Sequence, residues 1–306
     1  MLNILIIIAP LFLIILLGAV LRKLKIADEN WQKILNDYAF KIGFPTLIFF
    51  ALYKTEFSME IHSHLLLINF LFLVPIILLF YFAGKFLQIE TKTLKTLIIC
   101  AVFGNIAYLG LPIIENVFGV DSVSTASLII SIYLFVIFTI SITAMELLDQ
   151  KKLNIAKILI SLIKNPLLIA TILGLSFSIL NLGLPKIIIN SLQIISNSVT
   201  PIVLLVIGLF LGQAKLGKLK SWIPVFLFSI FTLFIIPSIF FFGMKLFGEI
   251  PRNFPESLIL AAMPLAITPF AFADEYNLDS DFIAKTIALS TILSVITIPF
   301  WIWIIQ

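Results

Sequence analysis

The sequence has little charge, a single cysteine and no common enzyme motif. Charged residues make up 12% of the 306 and hydrophobic residues 61%, whereas soluble domains have about 25% charged and about 45–50% apolar residues. Cys100 stands alone, which excludes an intrachain disulfide and a C-x-x-C metal or redox site. The motifs H-E-x-x-H and G-x-S-x-G and a Gly-rich phosphate loop are all missing. These absences argue against a soluble domain, an enzyme, a metal site and a bound cofactor.

What the chain has instead is a succession of apolar segments along its whole length. A bilayer-spanning helix needs about 20 apolar residues, and the first run is followed, not preceded, by positive charges, unlike a cleaved signal peptide. The sequence predicts an all-α polytopic membrane protein with ten transmembrane helices, near residues 3–21, 34–53, 65–84, 96–114, 124–146, 158–180, 187–212, 222–244, 257–273 and 282–304.

The positive charges predict the orientation of these helices. Cytoplasmic loops are enriched in Lys and Arg, and fifteen of the twenty Lys and Arg residues fall in or near alternate gaps if the N-terminus is outside. Four fall on the opposite side, and Lys41 lies within the second span. Both termini are therefore expected outside. The net charge of +4 then reflects membrane orientation and gives no reason to expect a nucleic-acid partner.

Two halves of the chain share a spacing of proline and glycine. Pro10, Gly18 and Pro45 are separated by 8 and 27 residues, and Pro166, Gly174 and Pro201 repeat these steps at an offset of 156. The spacing predicts one five-helix repeat over residues 1–150 and a second over 151–306. Because five is odd, the repeats must be inverted in the membrane, an architecture typical of transporters.

The fourth and ninth spans are interrupted at matching places, by GNIAYLGLP and by MPLAITP. Pro and Gly break helices, and an interrupted helix is tolerated in a membrane only inside protein or against a water-filled cavity. Matching breaks in two repeats point to a substrate site. The predicted substrate-binding residues are Gly104, Asn105, Tyr108, Gly110, Pro112, Pro264, Thr268 and Pro269.

The chemistry expected at these breaks follows from helix ends. A half-helix that begins near Pro112 exposes its first N–H groups and carries about half a positive charge there. Two such ends meeting would bind an anion without any arginine, and Asn105 and Thr268 would add an amide and a hydroxyl. Ionisable residues near the spans are few, namely Asp37, Lys41, Glu115 and Glu146. Their scarcity argues against a Na⁺/H⁺ exchanger.

The chain resembles the auxin efflux carrier family of membrane transporters, which includes bacterial permeases and the plant PIN carriers. The resemblance rests on NDYAFKIGFPTLIFFAL, GNIAYLGLPIIENVFG, AAMPLAITPFAFADEYN and LSTILSVITIPFW. It implies a scaffold of helices 1, 2, 6 and 7, and a mobile transport domain of helices 3–5 and 8–10. It also implies a homodimer joined through the scaffold, and an organic-anion site where the broken helices cross at Pro112 and at Pro264 or Pro269.

We therefore expect a secondary transporter that carries small mono- or dicarboxylates through a lipid bilayer by an elevator mechanism. The amino-acid composition favours the bacterial inner membrane as its location. An interior-negative potential of 100 mV favours anion exit by about 2.3 kcal/mol per charge, so efflux is favoured. Two alternatives stay open. One is a sodium- or proton-coupled carboxylate symporter with a fold like that of the bile-acid transporters, and the other is a membrane sensor or interaction protein that binds a ligand without moving it.

Overall fold

The computed structural model describes residues 2–55, 59–149, 155–213, 221–246, 255–271, 273 and 276–305, and they form α-helices joined by short turns. No β-strand lies in these residues; one isolated β-bridge joins Gly104 to Leu265. The helices are α1 Leu2–Lys23, α2 Glu29–Tyr38, α3 Phe44–Tyr53, α4 Met59–Phe86, α5 Thr91–Val102, α6 Leu111–Phe118, α7 Ser122–Val136, α8 Ile142–Leu148, α9 Ile155–Ile163, α10 Pro166–Ile179, α11 Lys186–Gly212, α12 Trp222–Ile230, α13 Ile236–Leu246, α14 Pro255–Ala261, α15 Thr268–Ala271 and α16 Ser280–Ile305.

Single π-helical turns adjoin several of these helices. They are Ala39–Gly43, Ile106–Gly110, Ile137–Ser141 and Phe231–Ile235. Three of them insert a wider turn into an otherwise continuous helix, which re-aims the side chains that follow it. Ile106–Gly110 instead follows three non-helical residues and begins the helical path that continues as α6. The predicted second, fifth and eighth spans are therefore continuous helical segments in which the π turn rotates the following side chains around the helix axis.

Six described helical segments are long and apolar enough to cross a membrane, which confirms the prediction of a polytopic all-α membrane protein. They are Ile4–Lys23, Leu65–Phe86, Ser122–Leu148, Lys186–Gly212, Trp222–Lys245 and Ser280–Ile305, and they coincide with the predicted spans 1, 3, 5, 7, 8 and 10. Ile106–Phe118 and Pro166–Ile179 are shorter apolar helices. The total of ten spans stays a prediction.

The predicted sixth span is divided near its start, in a way the sequence prediction missed. The side chain of Asn165 accepts hydrogen bonds from the backbone N–H groups of Leu167 at 2.9 Å and Leu168 at 3.3 Å. It thereby caps α10, and Pro166 occupies the first helical position, where its missing N–H removes no intrahelical bond. The segment predicted as one helix over 158–180 is thus two helices, α9 and α10.

The chain divides into two compact units. The first comprises Met1–Leu65, Ala107–Ser131 and Ile163–Gln213. Within it, α1 packs along α11 and α10 packs along α3. Glycines allow both contacts: a Cβ added to Gly18 would lie 2.5 Å from the carbonyl oxygen of Leu205, and one added to Gly174 would lie 2.9 Å from that of Phe49. Backbones this close are typical of membrane helix pairs with small interfacial residues.

The second unit comprises Leu66–Ile106, Ile132–Leu162 and Ala214–Gln306. A buried lysine joins three of its segments. The ammonium group of Lys95 donates to Asp149 Oδ1 at 2.7 Å and to the carbonyl oxygen of Tyr276 at 2.6 Å. Lys95 is only 2% exposed, although it lies in the gap between the predicted spans 65–84 and 96–114. Next to it, the hydroxyl of Thr96 accepts the backbone N–H of Asp279 at 2.9 Å.

Candidate functional site

Two helices of the second unit end inside the protein. Helix α5 ends at Val102, and Phe103 caps it with the non-helical angles φ −91° and ψ 59°. Helix α14 ends at Ala261, and no helical residue follows until Thr268. Both interruptions lie where the sequence predicts them, in GNIAYLGLP and MPLAITP. The reason is local, because Gly104 has no Cβ to restrict its backbone and Pro264 has no N–H to continue a helix.

The two interrupted segments pair with each other through their backbones. The N–H of Asn105 donates to the carbonyl oxygen of Pro264 at 2.7 Å, and the N–H of Ala266 donates to that of Phe103 at 2.9 Å. Together these bonds form an antiparallel β-bridge between Gly104 and Leu265. The pairing provides partners for backbone groups that would otherwise be unsatisfied in a membrane interior. The crossing of residues 103–105 with residues 264–266 is called the crossover from here on.

Helix α16 supports the crossover with a buried hydroxyl. The N–H of Leu265 donates to Ser290 Oγ at 3.2 Å, and Ser290 is fully buried. Three further hydroxyl residues share its side of the helix at steps of four or three residues, namely Thr286, Ser294 and Thr297, all buried. These residues were not among the predicted site residues, although their helical spacing is a readable signal.

Asn105 has an unsatisfied donor in the middle of the crossover. The residue is 2% exposed, and its side-chain Nδ2 has no hydrogen-bond partner. Leaving a buried amide N–H without a partner costs roughly 1–3 kcal/mol by mutational measure, so such groups are rare and call for an explanation. A ligand oxygen that accepts a hydrogen bond from this amide would provide such an explanation.

Helical turns restart on the far side of each break. After Asn105 the chain enters the π-helical turn Ile106–Gly110 and continues as α6, so the first free N–H groups follow Asn105 directly. The expected start near Pro112 agrees with the first residues of α6, but the helical path begins five residues earlier. On the other side, α15 begins at Thr268, with Pro269 buried in its first turn.

The predicted site residues fall into the two compact units. Gly104, Asn105, Pro264, Thr268 and Pro269 belong to the second unit, whereas Tyr108, Gly110 and Pro112 belong to the first. The hydroxyl of Tyr108 donates to Asn36 Oδ1 at 2.7 Å, and its ring lies 4.9 Å from the ring of Phe44. The hydroxyl of Tyr108 is therefore already engaged by a residue of α2. Gly110 and Pro112 are both buried.

A small cavity lies against the crossover in the second unit. It has a volume of about 20 Å³ and is lined by Gly104, Met263 and Leu265 together with Cys100, Tyr133 and Thr232. The hydroxyl of Tyr133 is buried without a hydrogen-bond partner. A cavity of this size holds about one water molecule, too little for an organic ligand. Among the described residues, no group of three or more His, Cys, Asp or Glu could hold a metal ion.

Comparison with known proteins gives one family over nearly the whole chain. Residues 3–302 match the family described as membrane transport protein. The chain is 27% identical over 299 residues to a protein of Methanocaldococcus jannaschii named as an uncharacterized transporter, and the match covers 96% of each chain.

Two further relatives have more specific names. A protein of Rhizobium meliloti named "Putative malonate transporter" is 20% identical over 303 residues, which cover 97% of this chain and 94% of the relative. The auxin efflux carrier component 6 of Arabidopsis thaliana is 29% identical over 149 residues. That match covers 45% of this chain and 25% of the plant protein.

Proposed function

Because the chain belongs to the membrane transport protein family, which includes the auxin efflux carriers, it is a membrane transporter and not an enzyme, and we propose that it carries small organic carboxylates. The substrate binds at the crossover and leaves the cell by an elevator-type movement. One observation carries the proposal: the buried amide of Asn105, without a partner, stands beside two interrupted helices.

The amide favours an anionic ligand because Nδ2 is a donor only. A carboxylate oxygen accepts hydrogen bonds and never donates one, so it satisfies the unpaired N–H directly. The free N–H groups at the start of the turn Ile106–Gly110, immediately after Asn105, add further donors. The positive end of that helical segment stabilises negative charge without a basic side chain.

A division into a scaffold and a moving part is compatible with the two compact units. The predicted scaffold spans 1, 2, 6 and 7 belong wholly or almost wholly to the first unit, and spans 3, 8, 9 and 10 to the second. Spans 4 and 5 are shared, because Ala107–Ser131 belongs to the first unit. We propose that an elevator movement involves the chain around Ile106 and Ala107, one of the five places where the sequence passes from one unit to the other.

Reciprocal packing in the first unit supports the inverted repeats over residues 1–150 and 151–306. Span 1 packs on span 7 through Gly18, and span 6 packs on span 2 through Gly174. In repeat terms, the first helix of each half packs on the second helix of the other. Gly18 and Gly174 are also the glycines that match in the sequence repeat. A two-fold pseudosymmetric scaffold of this kind is typical of inverted-repeat transporters.

The direction of transport follows from the membrane potential. An interior-negative potential of 100 mV assists the exit of each negative charge by about 2.3 kcal/mol, so efflux of a carboxylate requires no coupled ion. The name of the Rhizobium meliloti relative favours dicarboxylates within the proposed class. We further propose a homodimer joined through the scaffold, in a bacterial inner membrane with both termini outside.

Counterflow into proteoliposomes tests this function. Purified protein is reconstituted and loaded with unlabelled acetate, malonate or succinate, and uptake of the same labelled acid is measured with and without pH and sodium gradients. We expect saturable counterflow of at least one acid without either gradient. Uptake that requires a sodium or pH gradient would indicate a coupled symporter, and binding without any flux would indicate a sensor.

A further inference from the structure

A second pocket lies in the first unit, with polar and charged walls that the crossover does not use. It has a volume of about 290 Å³, close to the roughly 300 Å³ at which small-molecule sites begin. Helix α3 and its C-terminal end, the end of α6, the start of α7 and helix α11 line it. Its walls carry Lys54, Glu115, Asp121, Gln193 and Asn197, and Phe50 lies among the apolar lining residues.

The cationic side of the pocket is Lys54, whose ammonium group is held by neutral groups. It lies 4.0 Å above the ring of Phe50 and donates to Gln193 Oε1 at 3.3 Å. Gln193 is oriented in turn, because its Nε2 donates to Asn197 Oδ1 at 3.2 Å. Across the described residues, no carboxylate forms an ion pair with Lys54. Lys54 is itself exposed, so water solvates its ammonium group, which has an oriented position in the pocket and no carboxylate partner among the described residues.

The anionic side consists of Glu115 and Asp121. Glu115 is half-buried near the end of the apolar helix α6, and its Oε2 accepts one hydrogen bond, from the hydroxyl of Thr200 at 3.2 Å. Carboxylates within membrane-spanning segments are costly and usually have a functional role. Asp121 follows at the turn before α7 and is exposed.

Unpaired charges of both signs in one pocket define the chemistry of its ligand. A simple anion would be attracted by Lys54 but repelled by the two carboxylates. A simple organic cation would be attracted by the carboxylates but repelled by Lys54. A metal ion lacks ligands, since the described residues contain no cluster of three acidic, His or Cys side chains. A molecule with an ammonium and a carboxylate group satisfies both sides, and its carbon chain fits the apolar walls.

We propose that this pocket is a binding site for a small amino-carboxylate zwitterion, whose carboxylate pairs with Lys54 and whose ammonium pairs with Glu115 and Asp121. The site is separate from the crossover, and it does not depend on which anion the crossover carries. A ligand held between α3, α6 and α11 would bind elements from both proposed repeats.

Equilibrium binding to the purified full-length protein tests the proposal. The probes are glycine, β-alanine, γ-aminobutyrate and ε-aminocaproate, with malonate and n-butylammonium as singly signed controls. We expect saturable binding of at least one zwitterion. Glu115→Gln and Lys54→Met should each weaken it about tenfold to hundredfold, the loss expected for one charge-assisted contact, and Lys54→Arg should retain most of it.

Two controls make the result decisive. Lys41→Gln removes an exposed lysine of the same unit, paired with Asp37 at 2.9 Å outside the pocket, and should leave binding unchanged. Asn105→Leu should leave zwitterion binding intact while removing carboxylate transport, so failure of one site is distinguishable from failure of the other. The proposal is wrong if no zwitterion binds, if the control ions bind as tightly, or if Glu115→Gln and Lys54→Met leave binding unchanged.

Discussion

The backbone N–H of Asn105 donates to the carbonyl oxygen of Pro264 at 2.7 Å, across 159 residues of sequence. This bond and its neighbour from Ala266 to Phe103 join the two interrupted segments by main-chain hydrogen bonds. The side chain of Asn105 is then free of any structural hydrogen bond from its Nδ2. This buried donor without a partner is the observation on which the proposed substrate site rests.

The hydroxyl of Ser290 stabilises the crossover from behind. Ser290→Ala removes the acceptor of the Leu265 N–H, which is 3.2 Å away, and leaves a buried donor unpaired. We expect the free energy of unfolding to fall by about 1–3 kcal/mol. Ser294→Ala is the matched control, because the Ser294 hydroxyl donates at 2.7 Å to the backbone oxygen of Thr291 within the same helix. The Ser294→Ala variant should lose less free energy of unfolding than Ser290→Ala. Equal losses in the two variants would contradict the supporting role of Ser290.

Close packing of α1 on α11 depends on glycine at position 18. In Gly18→Ala the new methyl group would lie 2.5 Å from the Leu205 oxygen and 3.0 Å from the Gly208 Cα, so the helices must separate. We expect a loss of about 1–3 kcal/mol in thermal or denaturant unfolding, as for other overpacked sites.

The control for this substitution is Gly243→Ala on α13. A Cβ added at Gly243 meets nothing within 4 Å, and alanine is preferred in a helix by about 1 kcal/mol. This variant should be neutral or more stable than the parent protein. A Gly18→Ala protein as stable as the Gly243→Ala protein would contradict the close contact between α1 and α11.

The buried ammonium group of Lys95 should matter more than a surface lysine. Lys95→Met removes a donor that Asp149 and the Tyr276 carbonyl share, and the loss of a hydrogen bond to a charged group costs about 1.5–3 kcal/mol. Lys41→Met breaks the exposed pair with Asp37, for which about 0–1 kcal/mol is expected. Chemical unfolding of both variants in detergent measures the difference, and similar losses would argue against a structural role for Lys95.

Local sequence chemistry was sufficient to predict both breaks. Gly104 and Pro264 disrupt helices through their own backbones, so the interruptions follow from residue type. The pairing of the two segments could not be predicted, because it joins main-chain atoms that every residue carries. The helix start at Asn165 was also missed. An Asn-Pro pair is a known signal for a helix start, but apolar residues on both sides favoured one uninterrupted span.

Proximity in sequence did not indicate which side chains form hydrogen bonds with each other. Tyr108 stands three residues after Asn105, and the sequence grouped the two in one site. In the structure the Tyr108 hydroxyl bonds to Asn36, 72 residues earlier. Lys95 was assigned to a loop because it lies between the predicted spans 65–84 and 96–114, yet its ammonium group is buried and donates to two oxygen atoms of distant segments. Such long-range partners depend on tertiary contacts and leave no local pattern.

Substitution of Asn105 by leucine tests the central claim most directly, with stability and counterflow of the carboxylate measured on the same preparation. Leucine has a similar size and no hydrogen-bond donor. We therefore expect the free energy of unfolding to rise by about 1–3 kcal/mol and counterflow to be lost. Asn116→Leu is the control, since the Asn116 amide already donates to the Pro112 oxygen at 2.8 Å. It should retain counterflow. Unimpaired binding and counterflow in Asn105→Leu would contradict a substrate site at the crossover.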